Sequence, residues 1–124
     1  MSLYWTIDSR QRTVHIVAEG DVSTVDVMAF FDAVEGAKAL SYSKLLDGKG
    51  GRLAMTKDEM TALAVRIRAH HDQSAMAALA IVANGEQRHE AARLLGAAAG
   101  ADRPVRVFDD VRSARRWIET RARR

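Results

Sequence analysis

Segments with two different patterns of apolar residues alternate along this chain, and they limit the folds that it can adopt. In some segments the apolar residues occupy every second position or form a short block, and in others they recur at i, i+3, i+4 and i+7. The first pattern is typical of strands and the second of amphipathic helices. Strands that alternate with helices favour right-handed crossovers and a largely parallel sheet.

The segments follow one another in the order β-β-α-β-α-β-α-β-α. The first two strands are separated only by polar residues 9–12, which predicts an antiparallel hairpin at one edge. We therefore expect an α/β fold, a five-stranded mixed sheet covered by helices. The predicted strands cover residues 3–8, 13–19, 42–47, 78–84 and 105–108, and the predicted helices follow residues 23, 56, 85 and 110.

Local signals mark the predicted helix ends. Ser23 is a suitable N-cap with Asp26 as its acidic partner, and Thr56 with Glu59 forms a Thr-x-x-Glu capping box. Gly36 is predicted to end the first helix. Asp109 or Asp110 is predicted to cap the last one.

Length and composition predict one soluble domain over residues 1–124. We expect its core to span about residues 3–119 and a basic tail to cover residues 120–124. Hydrophobic residues make up 48% and charged residues 28%, an ordinary globular composition. Neither a signal peptide nor an apolar run long enough to span a membrane is recognised, so we expect a cytoplasmic protein.

The basic charge of the chain is concentrated at its C-terminus. Residues 112–124 contain six arginines and one glutamate, whereas the whole chain has a net charge of only +3. Trp117 is the one aromatic residue in this segment, and a nucleic-acid surface usually spreads cations over a groove with stacking aromatics. We therefore expect no specific nucleic-acid binding.

A glycine-rich, basic stretch follows the third predicted strand. It reads Asp-Gly-Lys-Gly-Gly-Arg and lacks the lysine-hydroxyl order of a Walker A loop. The prediction is a loop at the strand's carboxyl end, where α/β sheets bind ligands. Either the loop holds a small anion or an acidic partner, or its glycines only turn the chain. The candidate binding edge comprises Asp47, Gly48, Lys49, Gly50, Gly51, Arg52, Asn84, Gly85 and Arg88.

Catalytic and metal-binding patterns are not recognised. The chain has no cysteine, its serines lie outside any Gly-x-Ser-x-Gly elbow, and its histidines lack metal-ligand spacing. We therefore expect no enzyme, metal site or cofactor.

The order of elements, the stretch KLLDGKGG at residues 44–51 and the stretch VRVFDDVRSARRWI at residues 105–118 resemble the SpoIIAA-like family. These are small bacterial domains of the STAS type, best known as anti-sigma-factor antagonists, and the resemblance covers about residues 3–119. In regulatory members, a partner kinase phosphorylates a serine that follows an aspartate at the start of the helix after the third strand. Thr56 is the hydroxyl residue of the matching region, with Met55 before it, and is the candidate phosphorylation site.

The resemblance implies a non-enzymatic regulatory module whose partner is another protein. The expected contact surface is the loop edge together with the exposed face of the second helix. The alternative is a carrier of a small molecule or lipid, because the broader fold group includes domains that hold apolar ligands. An enzyme with an unrecognised site ranks last.

Overall fold

The computed structural model describes residues 2–73, 77–85, 88 and 105–122, which contain five strands and three long helices. The strands are β1 (Leu3–Asp8), β2 (Thr13–Val22), β3 (Ser43–Leu53), β4 (Leu79–Val82) and β5 (Val105–Phe108), and the helices are α1 (Thr24–Gly36), α2 (Lys57–Gln73) and α3 (Val111–Ala122). The helix predicted over residues 86–100 lies, apart from Arg88, outside the described residues. Residues 120–122 of the predicted tail belong to α3.

The sheet has the predicted mixed topology. Its strand order is β1-β2-β3-β4-β5, with β1 antiparallel to β2 and every later neighbour parallel. All five strands were predicted in sequence, and the α/β fold with an antiparallel edge strand is confirmed. The carboxyl ends of β2 to β5 therefore lie along one edge of the sheet, where each of the three helices also begins.

Apolar side chains alternate between the two faces of the sheet, because successive strand residues point to opposite sides. On one face, Ile16 and neighbouring β2 residues pack with Phe30 of α1 and Leu63 of α2. On the other, Leu45 and Ala80 pack with Ile118 of α3. The buried helix residues of these two clusters all lie at apolar positions that the sequence periodicity predicts.

The helix ends confirm two predicted caps and the predicted end of α1. The amide of Asp26 donates to the Ser23 hydroxyl at 3.3 Å, and the amide of Ser113 donates to the Asp110 carboxylate at 2.7 Å. α1 ends at Gly36, as predicted, but Gly36 itself is helical and is not the left-handed residue that closes the helix. Lys38 takes the left-handed conformation, with φ 58°, and its amide bonds the Glu35 carbonyl in a Schellman-type closure.

Candidate functional site

The glycine-rich stretch is a strand rather than the predicted loop. β3 continues through it to Leu53 and pairs with the second half of β2, with Gly50 opposite Glu19 and Arg52 opposite Asp21. A register shift between Val17 and Glu19 allows the two strands to stay paired. The prediction is wrong because the ladder hydrogen bonds to β2 outweigh the poor strand propensity of glycine.

Close packing against β2 and β4 explains why glycines occupy this strand. A Cβ added at Gly51 would lie 2.6 Å from the Cβ of Ala18, and one at Gly50 would lie 3.2 Å from the Ala18 carbonyl oxygen. A Cβ at Gly48 would lie 3.2 Å from the carbonyl oxygen of Val82. The glycines therefore serve the approach of neighbouring backbones, and this accounts for them without a ligand.

The extended strand divides the candidate binding edge into two parts. Asp47 pairs with Val82, the last residue of β4, so residues 47–49 lie beside the β4 end that leads to Asn84 and Gly85. Arg52 is five residues further along β3, roughly 16 Å at 3.3 Å per residue, on a two-stranded ribbon with β2. The three cations of the candidate binding edge, Lys49, Arg52 and Arg88, therefore do not form a single compact group.

Carboxylates face two of the three predicted cations. Arg52 forms an exposed ion pair with Asp21, 2.6 Å between Nη2 and Oδ1, and Arg88 forms one with Asp109. The sequence did not indicate these acids as partners, because only the strand register and the end of β5 bring them close. An anionic ligand at either arginine would have to compete with a carboxylate.

Asp47 is half-buried at the end of the β3–β4 pairing. Its carboxylate accepts the amide N–H of Lys49 at 3.3 Å, which is the loop-amide role expected of an aspartate at a strand end. On the same edge, hydrogen bonds from the amide and hydroxyl of Ser113 lower the pKa of Asp110, and the positive charge of Lys49 adds to this. The edge thus holds acids and bases together rather than a cationic cradle.

The capping box at the start of α2 is confirmed. The amide of Thr56 donates to Oε1 of Glu59 at 2.9 Å, and the amide of Glu59 donates to the Thr56 hydroxyl at 3.2 Å. The other carboxylate oxygen of Glu59 accepts a hydrogen bond from the Thr24 hydroxyl of α1 at 2.6 Å. These bonds, chiefly the one from Thr24, lower the pKa of Glu59. The exposed Thr56 hydroxyl is thus already engaged as an acceptor.

An apolar stripe lies on the exposed side of α2. Ala62, Val65 and Ala69 are all exposed, and 63% of Val65 is accessible to solvent. They recur at i, i+3 and i+7, so they share one face of the helix. Leu63, in contrast, is buried against α1 and the sheet. We call Ala62, Val65 and Ala69 the α2 stripe; its spacing was the signal available in the sequence.

The part of the chain that the structure describes contains neither a metal-binding cluster nor a membrane-spanning helix. No group of three His, Asp or Glu side chains there is arranged to hold a metal ion. No helix among the same residues combines the length and apolarity needed to cross a membrane.

Comparisons with known proteins agree on the fold. A family model described as SpoIIAA-like matches residues 13–119. An uncharacterised protein with a SpoIIAA-like fold from Shewanella loihica superposes with a TM-score of 0.69 at 19% identity, over 94% of this chain and 93% of its own. An anti-sigma factor antagonist from Mycobacterium paratuberculosis gives a TM-score of 0.58 at 14% identity, over 95% of each chain. The comparison with curated proteins gave no match.

Proposed function

The chain belongs to the SpoIIAA-like family, and from this premise we propose that it is a non-enzymatic regulatory module that acts by binding another protein. The anti-sigma factor antagonist that shares its fold supports a protein partner. The observation that carries the proposal is the α2 stripe, an apolar face on a helix whose opposite side already packs on the core.

The α2 stripe suits a helix-to-groove contact. An amphipathic surface helix normally keeps its outer face polar, whereas α2 exposes Val65 there between two alanines. Small residues on either side of a larger apolar one let a partner's backbone approach closely. Partner helices and grooves commonly recognise residues at i, i+3 and i+7. The proposed docking surface is therefore the α2 stripe together with the capped start of α2.

The test is affinity capture from a lysate of the native cell with three baits: the unchanged chain, Val65→Glu and Val25→Glu. Val25 is the control, because it is an even more exposed valine, 77% accessible, in the first turn of α1. We expect Val65→Glu to lose the partner that the unchanged chain retains. Retention of the same proteins by Val65→Glu would overturn the docking surface.

Phosphorylation of Thr56 is a second element of the proposal. Thr56 is exposed at the N-terminus of α2, where a phosphate would meet the positive end of the helix dipole. The same phosphate would repel the carboxylate of Glu59, which holds the Thr56 amide. Phosphorylation would therefore rearrange the start of α2 beside the α2 stripe.

The switch is tested with Thr56→Glu and Thr56→Ala as baits in the same capture experiment. We expect Thr56→Glu to change the amount of partner retained and Thr56→Ala to leave it unchanged. Equal retention by both variants and by the unchanged chain would remove the switch from the proposal.

The alternative function, a carrier of a small molecule or lipid, is tested by a separate experiment on the chain purified from its native cell. Mass spectrometry of the purified chain under native conditions would then detect a bound small molecule released by denaturation.

A small anion at Lys49 and Arg52 predicts that phosphate raises the melting temperature of the chain and that Lys49→Ala with Arg52→Ala abolishes the rise. The carrier function and the anion site both remain predictions.

A further inference from the structure

The outer edge of β1 is open among the described strands. β1 is the first strand in the sheet order, and its one neighbour there is β2. Exposed edge strands are usually protected by lysine, proline, a bulge or very short length. β1 has six residues, Leu-Tyr-Trp-Thr-Ile-Asp, pairs with β2 without a register shift, and contains neither lysine nor proline. Among the described residues it is therefore an unprotected edge, and its strand propensity is high.

The register with β2 determines which peptide groups of β1 point outward. Leu3 lies opposite Ala18, so Ser2 lies opposite Glu19, and the Ser2 carbonyl accepts the Glu19 amide at 2.8 Å. Hydrogen-bonded and non-hydrogen-bonded pairs alternate along an antiparallel ladder. The peptide groups of Ser2, Tyr4 and Thr6 therefore face β2. Those of Leu3, Trp5 and Ile7 face away from it, toward the open edge.

We propose that this edge binds a second copy of the chain, β1 against β1 in an antiparallel pair with a twofold axis at Trp5. Trp5 then lies opposite Trp5 of the partner subunit, and Leu3 lies opposite Ile7 of the partner subunit. The Leu3 pair occurs twice, once from each subunit, so three pairs face each other through outward peptide groups. At two bonds a pair they form about six hydrogen bonds. A shift of two residues in either direction leaves only two such pairs. The two sheets join into one of ten strands.

The side chains of β1 are complementary to themselves in this register. Leu3, Trp5 and Ile7 all lie on the α1 face, where Trp5 contacts Phe30 with ring centroids 5.5 Å apart. Apolar residues thus meet apolar residues across the twofold axis. On the other face, Tyr4, which is 49% exposed, lies opposite Thr6 of the partner subunit. The one charged residue of β1 is Asp8, and no like charge opposes it.

Analytical ultracentrifugation over a concentration series tests the association. We expect the mass to rise from 13.7 kDa to twice that value as concentration increases. Ile7→Pro removes an outward N–H without breaking a bond to β2, so the monomer keeps its sheet. It should weaken the dimer about tenfold or more, whereas Ile7→Val should dimerise normally. A constant monomer mass for the unchanged chain, or a dimer that Ile7→Pro does not weaken, would overturn the proposal.

Cysteine cross-linking tests the register directly and does not depend on the proline variant. The chain has no native cysteine. Facing residues of a non-hydrogen-bonded pair lie about 4.5 Å apart at Cα, within disulfide range, whereas diagonal neighbours lie about 7–8 Å apart. A mixture of Tyr4→Cys chains with Thr6→Cys chains should therefore oxidise to a dimer faster than either variant alone. Equal rates in the mixture and in the separate variants would overturn the Trp5-centred register.

Discussion

Thr24 of α1 and Glu59 of α2 are joined by a hydrogen bond of 2.6 Å between the threonine hydroxyl and the carboxylate. The second oxygen of the same carboxylate holds the amide of Thr56. One side chain therefore closes the N-terminus of α2 and ties it to the first turn of α1. The structure thus links the start of α1 to the start of α2.

The hydrogen bond from the Thr24 hydroxyl predicts that the contribution of Glu59 to the stability of the fold depends on pH. Because the pKa of this carboxyl is below its ordinary value of 4.5 in the folded chain, ionised Glu59 stabilises the fold above that value. The contribution is lost as the pH falls through the lowered pKa. Thr24→Val removes the largest cause of the shift and should return the pKa toward 4.5. NMR titration of the Glu59 carboxyl carbon measures it, and an unchanged pKa in Thr24→Val would contradict the assignment.

Thr56→Ala removes one half of the capping box. The Glu59 amide then loses the threonine hydroxyl that it reaches at 3.2 Å, and we expect the free energy of unfolding to fall by about 0.5–2 kcal/mol. Thr56→Ser keeps the hydroxyl and should lose much less. Urea denaturation of the three chains measures the difference, and equal midpoints would show that the cap contributes nothing to stability.

The caps and the order of strands and helices along the chain could be predicted because their signals are local. Ser23, Thr56 and Asp110 each bond an amide three residues later, so a short sequence window contains both partners. The length of β3 could not be predicted in this way. Its glycines have low strand propensity, and the reason for them is Ala18, more than thirty residues earlier, against which Gly51 packs. The ion pair of Arg52 with Asp21 depends on the same distant register.

Gly51→Ala tests the close approach of β3 to β2. The new Cβ would lie 2.6 Å from the Cβ of Ala18, so the strands must separate, and we expect a loss of about 1–3 kcal/mol in the free energy of unfolding. Ala18→Gly removes the clashing methyl group. The double variant should therefore be more stable than the sum of the two single effects predicts.

Gly36→Ala is the matched control for the glycine test. Nothing lies within 4 Å of a Cβ added at Gly36, and this residue is already helical in α1. Alanine is the better helix former by up to about 1 kcal/mol, so the variant should be as stable as the unchanged chain or more so. A loss as large as that of Gly51→Ala would show that contact with Ala18 is not the cause.

Two backbone carbonyl groups explain why Lys44 can occupy a strand that the sequence predicts as buried. Only 4% of the residue is exposed, and its Nζ donates to the carbonyl oxygens of Leu40 and Tyr42 at 2.7 and 2.9 Å. Lys44→Met keeps the apolar stem but removes this donor from both carbonyls, so the free energy of unfolding should fall by about 1–3 kcal/mol. Lys57→Met, at an exposed position, should change it by less than about 0.5 kcal/mol. Urea denaturation measures both, and a Lys44→Met chain as stable as the Lys57→Met control would show that water replaces the ammonium at these carbonyls.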